Sequence, residues 1–87
     1  MTESDVIQIA KALADPTRYA MLQDIRRAGR LTCSQVGERC SKSQPTVSHH
    51  LKILENAGLL LVEAEGVYHM LTVNEPRLAE FARRVSP

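Results

Sequence analysis

The order of apolar and polar positions divides the chain into short amphipathic segments. Val6, Ile9, Ala10 and Leu13 recur at i, i+3, i+4 and i+7, with Ile7 and Ala14 widening the stripe, which predicts a first helix capped by Ser4 and ending near Ala14. Asp15-Pro16 restarts the chain, a cap residue before a proline at the first helical position, where the missing N–H costs nothing. The second helix runs to about Ala28 with Met21, Leu22, Ile25 and Ala28 on one face and Gly29 as a left-handed terminator. Arg18 shares that face, so its stem is expected on the core and its head in local pairing. Thr32 with Gln35 forms a capping box, and Leu31 with Val36 a hydrophobic staple, so the start of a third helix is doubly specified. Cys33, Val36 and Cys40 fall on one face of it.

After the turn Ser41-Lys42-Ser43, a fourth helix over residues 44–57 is capped by Ser43, has Pro45 in its first turn and stops at Gly58. At about 100° per residue, Val47, Leu51, Ile53, Leu54 and Ala57 gather on one side with His50 at the margin. Gln44, Ser48, His49, Lys52, Glu55 and Asn56 occupy the opposite arc. Two short helices joined by a tight turn, the second presenting donors and acceptors suited to base edges, have the layout of a helix-turn-helix. The runs Leu59 to Ala64 and Val67 to Val73, around Glu65-Gly66, read as a two-stranded hairpin, a wing. Asn74 and Pro76 then open a last helix with Leu78, Phe81, Ala82 and Val85 on one stripe. The expected class is mainly α with a small β-hairpin (α+β), a winged helix-turn-helix of order α-α-α-α-β-β-α forming one domain over residues 1–87.

Composition narrows the function. Eighty-seven residues leave no room for a multidomain enzyme. A chain this short buries only about 60% of its unfolded surface, so a partner subunit would help it. No glycine-rich phosphate loop, paired catalytic carboxylates or assembled nucleophile and base is present, so no catalytic residue is expected and binding is preferred to catalysis. No apolar run approaches the roughly 18 residues of a membrane span, and Glu3 and Asp5 stand where a signal peptide would be basic. The expectation is a cytoplasmic protein without a membrane partner. A pair of cysteines in that setting is expected as reduced thiols. One Phe, two Tyr and no Trp argue against stacking platforms for single strands.

The net charge is only +1, but it is sorted. Residues 16–52 carry Arg18, Arg26, Arg27, Arg30, Arg39, Lys42 and Lys52 against Asp24 and Glu38, whereas residues 53–80 carry five glutamates against Arg77. The basic block coincides with the helix-turn-helix, which favours an acidic partner such as double-stranded DNA.

Three stretches together resemble the ArsR/SmtB family of bacterial winged-helix repressors: Ala12-Leu13-Ala14-Asp15-Pro16-Thr17-Arg18, then Ser43-Gln44-Pro45-Thr46-Val47-Ser48-His49-His50-Leu51, then Leu54 with Gly58-Leu59. The resemblance implies a homodimer joined through its first and last helices, here Val6, Ile9, Leu13, Leu78, Phe81 and Val85. Its two recognition helices would enter successive major grooves of a palindromic operator. It also implies base or phosphate contacts by Gln44, Thr46, Ser48 and His49. Gln44 suits a bidentate adenine contact, and Lys42 and Lys52 suit phosphate.

The chain departs from the family's pattern in two places. Glu63, Ala64, Glu65 and Val67 occupy wing positions that are often basic, so the wing should repel phosphate. Thr32 and Ser34 occupy the places of the metal sensors' Cys-x-Cys, and the last helix offers only Glu75 and Glu80, a poor zinc set. No metal and no cofactor are expected. Cys33 and Cys40, seven residues apart and so about 10.5 Å along a helix, cannot form a disulfide within it. They are expected in the core, with a redox-responsive thiol, Cys40 before Cys33, as the alternative. His69 is expected as an ordinary surface or edge residue. The other functional alternative is a winged-helix protein-interaction module without operator binding.

Overall fold

The computed structural model describes residues 1–87. Helices α1 (Glu3–Leu13), α2 (Pro16–Ala28), α3 (Cys33–Cys40), α4 (Gln44–Asn56) and α5 (Glu75–Val85) accompany strands β1 (Leu31–Thr32), β2 (Leu60–Glu65) and β3 (Tyr68–Val73). The helix boundaries follow local chemistry. Asp15 caps α2 by accepting the Arg18 N–H, Thr32 and Gln35 exchange both bonds of a capping box on α3, and Asn74 accepts the Arg77 N–H at the start of α5. Gly29 ends α2 with φ at +88°.

Five details differ from the sequence expectation. Thr2, rather than Ser4, caps α1, because Asp5 stands three residues after Thr2 and returns the bond to its N–H, whereas Ser4 is followed at that spacing by apolar Ile7. Ser43 holds the N-cap position of α4 without capping it. Its hydroxyl donates to Thr46 Oγ1 at 3.0 Å instead. Ala28 is exposed, because the buried stripe of α2 stops at Ile25. The sheet has three strands in the order β1-β3-β2, since Leu31 and Thr32 pair antiparallel with Leu71 and Met70. In the hairpin Glu65 pairs with Tyr68, so the turn is Gly66-Val67, one residue later than Glu65-Gly66.

One cluster forms the core. Ile9 from α1, Leu22 and Ile25 from α2, Val36 from α3, Val47 and Leu54 from α4, Leu59, and Leu71 from β3 are enclosed almost completely. Each such side chain contributes about 1.5–3 kcal/mol relative to exposure. Ile9 was expected at a subunit interface, but it is 0% exposed and belongs to the chain's own core. At α1's outer face stands Ile7, 48% exposed, and α5 contains no fully buried residue.

Candidate nucleic-acid interface

Helix α4 is set by its apolar face. Val47 and Leu54 are fully buried and Leu51 nearly so, which turns Gln44, Thr46, Ser48, His49 and Lys52 outward, all of them exposed. His50 sits at the margin, half-buried, its ring centroid 5.7 Å from that of His49. Helix α3 crosses beneath α4 at Gly37. A Cβ at that position would meet the carboxamide end of the Gln44 side chain, which is free to rotate away. The Gln44 side chain lies back over α3, and reaching a base edge requires it to swing outward.

The middle and the end of α4 are tied to distant elements. At its middle, Arg18 lays its stem inward as expected. Its Nε donates to the Ala12 carbonyl at 2.8 Å and its Nη1 donates to His50 Nδ1 at 3.4 Å, joining the end of α1 to the recognition helix. The Arg18 backbone N–H, aided by the nearby Arg18 guanidinium charge, holds the Asp15 carboxyl below its ordinary value. At its end, α4 leaves carbonyls without helical partners. Gln8 Nε2 donates to the Asn56 carbonyl at 3.1 Å, and Arg77 Nε donates to the Ala57 carbonyl at 3.0 Å. Arg77 also lies 3.7 Å from Asp5. Sequence reasoning did not single out Gln8 or Arg77. Arg77, three residues after the Asn74 cap, had a local signal only for its N–H. No pattern in α1 announces Gln8.

The structure redistributes the basic block. Arg26 pairs with Glu75, Arg30 with Glu65, and Lys52 with Glu55. Arg39 grips Asp24 through two bonds, Nε to Oδ2 at 2.6 Å and Nη2 to Oδ1 at 2.7 Å. That hydrogen bonding holds the Asp24 carboxyl low and raises Arg39. With Arg18 on helix carbonyls, Arg27 and Lys42 are the cations of the block left without an ion pair or side-chain hydrogen bond, though the Arg27 charge also acts on Asp24. Lys42 stands exposed at the foot of α4, whereas Lys52 is held by Glu55.

The two thiols face different places. Cys33 lies with Ser48, Lys52, Glu55 and His69 in a small cleft of about 130 Å³ between α4 and the sheet, whereas Cys40 opens into a groove between α2 and α3. Burial, with the Glu55 charge adding to it, pushes the Cys33 thiol up, which lowers its thiolate fraction. Cys40 Sγ is 3.7 Å from the Gly37 carbonyl, to which it donates. No three Cys, His, Asp or Glu side chains gather within reach of one metal ion, and Glu75 and Glu80 are engaged by Arg26 and the Met1 amino group.

A family model described as a helix-turn-helix domain matches residues 13–63. An HTH-type transcriptional regulator of Methanocaldococcus jannaschii is 33% identical over 78 residues, covering 90% of this chain and 88% of that protein. An arsenical resistance operon repressor of Staphylococcus xylosus is 35% identical over 74 residues, covering 85% of this chain and 70% of its own length. Among solved structures, the homodimeric winged helix-turn-helix DNA-binding domain of a possible ArsR-family regulator from Mycobacterium bovis superposes with a TM-score of 0.82 over 93% of this chain and 75% of that one. At 23% identity that likeness is one of fold.

Proposed function

The chain belongs to the ArsR/SmtB family of winged helix-turn-helix transcriptional regulators, and from that premise we propose that it is a homodimeric repressor reading a palindromic operator through α4. Ser48 and His49 face base edges in the major groove, Gln44 joins them by swinging out from α3, Thr46 lies at the flank with its hydroxyl bonded to Ser43, and Lys42 and Lys52 contact phosphate. The observation that carries this reading is the division of α4 into a buried apolar face and an outward face that holds Gln44, Ser48 and His49 and no carboxylate before Glu55.

Dimerisation through α1 and α5 supports placing two such helices in successive major grooves, about 34–36 Å apart. Half-buried Val6, Leu13, Leu78 and Phe81, with the more exposed Ile7 and Val85, supply the apolar surface for it. The role is one of binding, with no catalytic step, metal or cofactor assigned. No helix is long and apolar enough to cross a membrane, and the cytoplasm is the compartment such a regulator requires.

An anisotropy titration with the DNA upstream of the protein's own gene tests the reading. Preference over a random duplex at low salt is expected, and equal affinity for both overturns it. Light scattering should return twice the 9.7 kDa chain mass. A monomer at micromolar concentration would refute the paired-groove arrangement.

A further inference from the structure

The two uncommitted cations of the basic block rim the same opening. A groove of about 660 Å³ runs between α2 and α3, within the size range that holds small organic ligands. Its accessible apolar lining is exposed Ala20 and half-buried Cys40, set over the nearly enclosed Met21 and Val36. Arg27 and Lys42 stand exposed at its edge, and Cys40 opens into it. The one carboxylate in its lining, Asp24, is already neutralised by the two bonds from Arg39. An apolar floor under an excess of positive charge is complementary to one ligand chemistry.

We propose that the groove between α2 and α3 binds a small organic anion with an apolar body, the charged end toward Arg27 and Lys42 and the body along Ala20 and Cys40, above Met21 and Val36. Resting on the DNA reading for the role of Lys42, a bound anion withdraws that cation from phosphate and weakens duplex binding. The site therefore acts as an effector site next to the recognition helix.

The test is a methyl-detected NMR titration of the full chain with decanoate below its micelle concentration, with decanol as the uncharged analogue. Saturable shifts at the Met21 and Val36 methyls are expected, with decanol at least tenfold weaker. Arg27→Glu combined with Lys42→Glu, both at exposed positions, should weaken decanoate at least tenfold without altering the melting temperature. Decanoate should also slow alkylation of Cys40 by iodoacetamide and leave Cys33 unaffected. Shifts confined to Ile7 and Val85, or equal affinity for decanoate and decanol, overturn the proposal. In a separate arm, decanoate should lower duplex affinity severalfold. Unchanged affinity with the groove filled overturns the effector role, whereas a chain that binds no duplex with the groove empty overturns the DNA reading alone.

Discussion

Helix α4 and the wing are the two elements that a winged helix offers to a duplex, and in this chain they are built on opposite plans. One side of α4 is enclosed in the core, and its last carbonyls are held by Gln8 from α1 and Arg77 from α5. The wing is rooted by Leu60 and Leu71, and beyond them almost every side chain is exposed, with Val67 91% accessible at the tip. The charges differ in the same sense. No carboxylate precedes Glu55 along α4, whereas β2 carries Glu63 and Glu65 toward the tip. Base reading needs a backbone held in register and a field that does not repel phosphate, and α4 has a fixed backbone and a first half free of carboxylates, with Lys42 at its foot. The wing has neither, so specificity should reside in α4 and the wing should act as a weakly repelling neighbour.

The sharpest way to break that contrast is to truncate one apolar side chain in each element. Leu54→Ala removes a fully buried anchor of α4 and should cost about 2–5 kcal/mol, a large share of the stability of a chain this small. Val67→Ala should stay within about 0.5 kcal/mol. Urea denaturation measures both, and equal losses would mean that the wing tip is packed as firmly as α4. Next in size is Gly58→Ala. Gly58 has φ at +79° and lies under the Arg77 side chain, so a Cβ there meets both a left-handed backbone and the guanidinium that holds the Ala57 carbonyl. The backbone alone costs about 1–2 kcal/mol, again read by urea denaturation. A neutral result would detach Arg77 from the fixing of α4.

How far these features could be read from residues alone depended on the range of the interaction. Asp15-Pro16, the Thr32–Gln35 box and Asn74 before Pro76 were legible because a cap and its partner lie within three residues. The cap of α1 was misread because Thr2 and Ser4 are both capable, and the choice turns on whether Asp5 or Ile7 stands at the reciprocating position. Strand β1 could not be seen: two residues have no periodicity, and Leu31 and Thr32 become a strand only by pairing with Leu71 and Met70. The outward face of α4 was legible from helical spacing, but the state of its surrounding charges was not. Arg26 meets Glu75 across 49 positions of sequence and Arg30 meets Glu65 across 35. Ile9 carried the same periodic signal as Val6, and only the packing of α1 against the rest of the chain separates a core position from a surface one.

Substitution in the reading face sharpens the contrast at the level of specificity. Gln44→Ala or His49→Ala should reduce discrimination against a wrong base pair by about 1–3 kcal/mol while leaving the fold intact, because both side chains are exposed. Anisotropy titrations against operator duplexes altered one pair at a time measure this. The same substitution at Glu63 should leave the ranking of duplexes unchanged. A shifted ranking at Glu63 with none at Gln44 would reverse the assignment of roles between α4 and the wing.

The smallest expected effect isolates the wing's charge. Glu63 pairs across the ladder with Met70 and so has no cation opposite it, whereas Glu65 is engaged by Arg30 and its charge is partly cancelled. Glu63 is therefore the position where the wing's repulsion of phosphate is least shielded. Glu63→Lys should tighten binding to every duplex alike and steepen the dependence of log affinity on log salt by about one phosphate contact. Because the change is electrostatic and exposed, it should fade as ionic strength shortens the screening length, unlike the loss at Gln44. An unchanged salt slope would place the wing beyond reach of the backbone, and then its glutamates would not contribute to the weakness of its DNA contact at all.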